Sequence, residues 1–349
     1  MLLVRRIPIL LVLWLAGVLA VRASAGDRFE LVPLGVFGGE VESNGTCFLL
    51  GHASQAGRRL MIDGGSPVSG ILRWKGLDAA TGGHWGRRME AVRGELARVD
   101  AFLFTHGHLD HTSGFILSTP LFLDGALKGR TAELYGGADT LAALRDKLLR
   151  PPLWGDFTKV PSPEHPVVRL HELVPEQEVR LAGFRVCSLP LRHPVTSVAY
   201  LVEEPGGDAV VVCGDTGPTA AIWSTLRPRL LAGKPPPGRP PAGSLRAIAI
   251  ECSFDSSQGG LAEATGHLTP LLLVRQLVLL AFGAGEAPPV DLAAALAMAP
   301  RLGKALRSVR VLVHHIKPSS YDRVAAELEQ LRQAGLPLEL LRQGLPVRL

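Results

Sequence analysis

The chain has 349 residues, 47% hydrophobic and 20% charged, enough apolar material for a large core and outside the polar, highly charged composition of disordered chains. Lys and Arg total 37 against 32 Asp and Glu, and a formal charge of +5 over this length is too small an excess to argue for a nucleic-acid surface. Four cysteines in a chain of this size exclude dependence on a disulfide framework.

At the N-terminus, Arg5 and Arg6 precede an apolar run over residues 7–21, and Ala23-Ser24-Ala25 has the small-x-small form of a signal-peptidase site. Residues 1–25 therefore read as a cleaved export signal, because the run is shorter than the ~20 residues of a spanning helix and a cleavage site follows it. The expected mature chain, 26–349, is one catalytic domain, periplasmic or secreted, with no stable membrane anchor. Losing Arg5, Arg6 and Arg22, and no acid, lowers the charge from +5 to +2, which still suits a phosphate-bearing substrate. The even set Cys47, Cys187, Cys213 and Cys252 permits pairing without requiring it, since each lies in or beside an apolar run where buried thiols are common.

Further along, residues 59–65 read as a strand ending in Asp63-Gly64-Gly65, and 89–98 as an amphipathic helix. The short apolar run 99–104 is a strand, and it delivers Thr105-His106-Gly107-His108-Leu109-Asp110-His111. Gly107 opposes helical continuation, so this heptapeptide is expected as a loop at the strand's C-terminal end. Residues two apart in an extended segment share a side, so His106 and His108 can clasp one ion while Asp110 and His111 face a second. Imidazole with carboxylate suits Zn²⁺, with Mn²⁺ or Fe as competitors. A histidine-rich surface loop is the bland alternative; the tight spacing and the acidic partner argue against it.

Two metals need more ligands than one loop offers, and later strand ends supply them. A helix over 140–150 is followed by the run 186–191, after which His193 stands beside the stiffening Pro194. The strand 209–215 ends in Gly214-Asp215-Thr216-Gly217, where a carboxylate could bridge two ions. A helix over 219–231 precedes a Pro- and Gly-dominated connection, 234–243, and then a strand at 246–251 ending in Glu251. Helices are expected at 270–282 and 321–334, separated by an Ala- and Pro-rich insertion, 283–303, with room for a short helix near 290–298. The last strong strand, 309–315, ends in His314 and His315, and alternation sends only one of them inward.

With these residues in order, the chain resembles the metallo-β-lactamase superfamily, whose signature is H-x-H-x-D-H followed by a distant His, a bridging acid and a final His. That resemblance implies an α/β fold, a four-layer αββα sandwich with a dinuclear site at one edge. Within the superfamily, the text from His106 to Ser118 is similar to the class II cyclic-nucleotide phosphodiesterases, and three separated pieces agree: Glu251-Cys252-Ser253-Phe254, Gly266-His267-Leu268-Thr269-Pro270 and His315-Ile316-Lys317-Pro318. Thr112 stands where the family often has an aliphatic residue. The resemblance implies His106, His108 and His193 on one divalent ion, Asp110, His111 and His315 on the other, and Asp215 bridging. It favours His315 over His314 and gives Asp63 the part of the acid that supports the histidine loop.

The implied reaction opens a 3′,5′-cyclic nucleotide, cyclic AMP or cyclic GMP, to the 5′-monophosphate by a hydroxide shared between two metals. His267 is the implied acid for the leaving oxygen, oriented by Glu251, by analogy with the RNA-processing branch of the superfamily; a helix-start residue packing near Pro270 is the alternative. Asp110 could also take the nucleophile's proton. The rivals are an exported hydrolase of other phosphoesters, a lactamase or lactonase, and a non-catalytic metal-binding module; a homodimer is an open possibility, and weak positive charge speaks against a nucleic-acid partner. Phe115, Trp154, Phe157, Trp223 and Phe254 could each stack on a purine or fill the core.

Overall fold

The computed structural model describes residues 28–53, 57–78, 84–230 and 243–349; the expected export signal, 1–25, and most of the 234–243 connection lie outside these. One seven-stranded sheet runs in the order β14 (Val347–Arg348), β1 (Phe29–Gly35), β2 (Cys47–His52), β3 (Arg59–Ile62), β4 (Val99–Phe104), β5 (Ala132–Gly136) and β6 (Val168–Glu172). The other runs β13 (Leu338–Leu340), β12 (Arg310–His314), β11 (Leu245–Glu251), β10 (Ala209–Cys213), β9 (Ser197–Glu203), β8 (Phe184–Leu191) and β7 (Glu178–Leu181).

Strand alternation sorts the apolar side chains into layers. In β4, Ala101 and Leu103 face the core between the sheets, where they join Phe29, Phe184, Tyr200, Val210 and Val212. Phe102 and Phe104 face outward and pack with α1 (Pro67–Trp74), α2 (Trp85–Leu96) and α3 (Leu109–Ser118) through Ile71, Val92 and Phe115. In β10, Val211 and Cys213 turn the other way, onto α5 (Ala221–Leu230), α7 (Pro270–Phe282), α8 (Leu292–Ala305) and α9 (Tyr321–Gln333). Two sheets face to face with helices outside each form the four-layer αββα sandwich that the sequence led us to expect.

Several elements differ from the sequence expectation. The 283–303 insertion contributes most of α8, because Asp291 caps Ala294 N and the small residues Ala295 and Ala299 let the helix pack closely against its neighbours. The histidine segment is a loop only as far as His108; Asp110 and His111 lie in the first turn of α3. Gly107 ends the extended segment without preventing a helix two residues later. Also, α4 (Ala138–Ala143) is shorter than the helix expected over 140–150 and passes into a π turn, Leu144–Leu148. None of the four cysteines is disulfide-bonded. Among the described residues no single helix is long and apolar enough to cross a membrane.

The Asp63-Gly64-Gly65 turn fixes where α3 starts. Gly64 N–H donates to the His111 carbonyl at 2.6 Å, and Phe115 N–H donates to the Gly64 carbonyl at 2.7 Å. A Cβ on Gly65 would stand 2.0 Å from the Asp110 carbonyl oxygen and 2.5 Å from the Gly45 carbonyl carbon, both backbone. Gly65→Ala should therefore cost on the order of 1–3 kcal/mol by overpacking and displace Asp110 and His111 together. Urea denaturation checks this: a variant within about 0.5 kcal/mol of wild type would mean the close approach does not hold α3 in place.

Candidate metal centre

The polar residues converge at the C-terminal ends of strands, where the chain leaves the sheets. β3 delivers Asp63, β4 delivers His106 and His108, β8 delivers His193, β10 delivers Asp215, β11 ends in Glu251, and His315 follows β12. Two of these residues depart from ordinary backbone. Asp63 and His315 have φ of 56° and 58°, uncommon for residues with a Cβ. For His315 this explains why strand alternation does not separate it from His314. Both imidazoles are fully buried, but His315 has left the strand and turns toward the cluster. His314 packs edge-on against Phe48, with centroids 5.0 Å apart, and burial pushes its pKa down to about 3.

Among the described residues three groups of ligand-type atoms result, each within 4.8 Å of one another: His106, His108, His193 and Asp215; Asp110, His111, Asp215 and His315; and, alongside, Glu251, His267 and His315. Asp215 belongs to the first two. Its Oδ1 lies 3.1 Å from His111 Nε2 and 3.1 Å from His315 Nε2, and its Oδ2 lies 3.7 Å from His106 Nε2 and 4.0 Å from His193 Nε2. Despite this proximity, His106 Nε2, His111 Nε2 and Asp215 Oδ1 are buried without hydrogen-bond partners. Orphaned buried polar atoms cost about 1–3 kcal/mol each, and cations held by the two groups that share Asp215 would satisfy all three, so the donor set fits divalent metal.

The backing shell sets which ring nitrogen faces inward. Asp63 accepts from His111 Nδ1 at 2.7 Å and from Thr105, both backbone N–H (2.8 Å) and hydroxyl. The Gly266 carbonyl accepts from His193 Nδ1 at 2.9 Å. These bonds leave Nε2 of each ring free for a metal. Burial opposes charge throughout, and it lowers His106, His108 and His193 below the ordinary imidazole range. At His111 burial is outweighed by the Asp215 and Asp63 carboxylates, which raise it well above that range. Asp215 and Asp110 are held well below the carboxylate range, against burial, by His315 and His111.

Beside the first two groups sits His267, its ring centroid 5.1 Å from that of His193 and 5.4 Å from that of His315. It occupies the short link between two helices. Gly266, with φ +70°, caps α6 (Gly259–Thr265), while Thr269 caps α7 and Pro270 opens it. A Cβ on Gly266 would also strike Pro194 at 2.5 Å, so glycine is needed for conformation and for contact with the His193 turn. Glu251, fully buried, accepts from His267 Nδ1 at 2.8 Å and from Thr216 N–H at 2.8 Å. That carboxylate overcomes burial and raises the His267 pKa.

The model of the class II cAMP phosphodiesterases matches residues 85–336. The chain belongs to that family. A curated relative from Yersinia pestis, "Probable 3′,5′-cyclic-nucleotide phosphodiesterase", is 27% identical over 341 residues, covering 90% of this chain and 88% of the relative. In structure, this phosphodiesterase is similar to unliganded yeast PDE1, with a TM-score of 0.71 at 19% identity over 93% of this chain and 100% of that one. It is also similar to the metallo-β-lactamase fold protein YhfI from Bacillus subtilis, with a TM-score of 0.55 at 17% identity over 92% of this chain and 100% of that one. The fold is the metallo-β-lactamase fold, and the family's enzyme class is phosphodiesterase.

The expected ligands His106, His108, Asp110, His111, His193, Asp215 and His315 meet in this one region, with Asp63, Glu251 and His267 beside them. Of the five aromatics, Phe115, Phe157 and Trp223 are buried in the core, and Trp154 packs on the α1–α3 layer, donating to the Thr119 hydroxyl at 3.0 Å. Phe254 alone stands at the site, edge-on to His267 with centroids 5.8 Å apart. Sequence reasoning missed Thr105, which ties Asp63 to the histidine segment; its place at the head of the heptapeptide was the available signal.

Proposed function

We propose that this phosphodiesterase hydrolyses 3′,5′-cyclic nucleotides, cyclic AMP first, to nucleoside 5′-monophosphates using two divalent ions. His106, His108, His193 and Asp215 would hold one ion and Asp110, His111, Asp215 and His315 the other, with Zn²⁺ the best match to nitrogen and carboxylate donors. The observation that carries the reading is the carboxylate shared by two ligand groups, with the His267–Glu251 pair alongside, in a chain of this family. When bound, such ions supply Lewis acidity toward phosphoryl oxygens and bring the pKa of water from 15.7 toward about 7.

The protein's own work is placement and proton supply. The three histidines of the first group stay neutral because burial lowers them, so they can ligate at neutral pH. His267 keeps its proton because Glu251 raises it. With Nδ1–H committed to Glu251, Nε2–H is the proton it can deliver to the departing 3′ oxygen. Asp110, held ionised, fills a ligand position and could also accept a proton from the nucleophile.

A chelator followed by reconstitution tests the reading. Chelation should abolish cyclic AMP hydrolysis, and two equivalents of Zn²⁺ or Mn²⁺ should restore it. Restoration with a lactam or lactone cleaved in preference to cyclic AMP would overturn the substrate class.

The pH profile gives a second expected outcome. His267 acts protonated, so turnover is full below its raised pKa and falls as pH rises through it. Glu251→Gln removes the charge responsible and should move that alkaline limb to lower pH. An unmoved limb in kcat against pH would take His267 out of the acid role.

A further inference from the structure

A histidine that ligates through one ring nitrogen needs its other nitrogen protonated and held, or the ring can flip or change tautomer. Asp63 serves His111 in this way and the Gly266 carbonyl serves His193. At His315 the neighbour of Nδ1 is the Ser253 hydroxyl, 3.0 Å away. Ser253 is fully buried, just past the end of β11, and its backbone is pinned on both sides: its N–H donates to the Leu268 carbonyl, and its carbonyl accepts from Lys317 N–H.

The hydroxyl has one proton and several neighbours. Glu251 Oε2 lies at 2.7 Å, the His315 carbonyl at 3.0 Å and His267 Nδ1 at 3.2 Å. A carboxylate only accepts and makes the strongest of these bonds, so it takes the hydroxyl proton. His267 Nδ1–H is directed at Glu251 Oε1, at the shorter distance of 2.8 Å. The Ser253 lone pairs are thereby left to accept from His315 Nδ1–H.

We propose that Ser253 is a positioning residue: it fixes His315 in the Nδ1–H tautomer and ties His315 and His267 to one buried carboxylate, Glu251. This leaves His315 Nε2 as the nitrogen that faces Asp215 Oδ1 at 3.1 Å and Asp110 Oδ2 at 3.2 Å, and the one that would exchange its proton for an ion. The alignment of His315 and the proton on His267 then depend on the same group. The inference rests on reading His315 as a ligand.

Two measurements test it. Nitrogen-15 NMR of the Zn²⁺-loaded wild-type chain, with the His315 signals assigned by their loss in His315→Ala, should show Nδ1 protonated and Nε2 unprotonated; an unprotonated Nδ1 would overturn the proposal without any Ser253 variant. Zn²⁺ titration of Ser253→Ala, followed by metal content and calorimetry, should show one of two sites weakened about 10- to 100-fold and the other unchanged. Unchanged affinity at both sites in Ser253→Ala, with one site lost in His315→Ala, would overturn the role of Ser253 alone. Both sites intact in His315→Ala would overturn the ligand reading beneath it.

Discussion

Asp215→Asn should remove both bound ions and lower kcat by at least about 10³-fold, the largest effect expected of any single substitution in this protein. Asp215 is the one residue common to both ligand groups, and its carboxylate oxygens lie between four histidines. Asparagine keeps the shape but loses the charge, leaving six of the original potential ligands with Asp110 as their only carboxylate. Losing Lewis acidity at two positions forfeits several kcal/mol of transition-state stabilisation, and each 1.36 kcal/mol is tenfold in rate. Metal content by plasma emission spectrometry, measured beside kcat, checks this. Two ions retained with activity within tenfold of wild type would mean that Asp215 is not the shared ligand.

His267→Ala should do something different: both ions stay and turnover falls by about 10²- to 10⁴-fold, the range for a positioned general acid. The imidazole is fixed through Glu251 and lies beside the ligand groups as a member of neither group that contains Asp215. A substrate analogue whose leaving group needs no proton should recover most of the lost rate, because the acid is dispensable there. Equal losses on both substrates would instead point to a structural part for His267. Full activity of His267→Ala on cyclic AMP would remove it from the mechanism.

Much of this centre was legible because its residues sit at the ends of apolar runs, and those runs can be recognised locally. His106, His108, His193 and Asp215 each follow a stretch whose composition announces a strand, and the strands do end where the runs do. What local reading could not reach was geometry set by distant partners. The first turn of α3 depends on Gly64, more than forty residues away, exchanging hydrogen bonds with His111 and Phe115. The choice between His314 and His315 could not come from alternation, because His315 leaves the strand with a positive φ; only the family's His-Ile-Lys-Pro text favoured it. Ser253 stood in a recognised motif yet acquired no part, since its value comes from residues 251, 267 and 315 meeting in space. The length of α8 was missed because Pro300 interrupts its pattern, although Asp291 was a readable cap.

The most direct test of the central claim is hydrolysis of 3′,5′-cyclic AMP by the Zn²⁺- or Mn²⁺-loaded chain in ¹⁸O-labelled water, with the product resolved by chromatography and mass spectrometry. The account predicts chelator-sensitive release of 5′-AMP carrying one ¹⁸O on phosphorus. Release of 3′-AMP would contradict the assignment of the leaving oxygen, and no turnover from a chain holding two ions and cleaving a generic aryl phosphodiester would contradict the substrate.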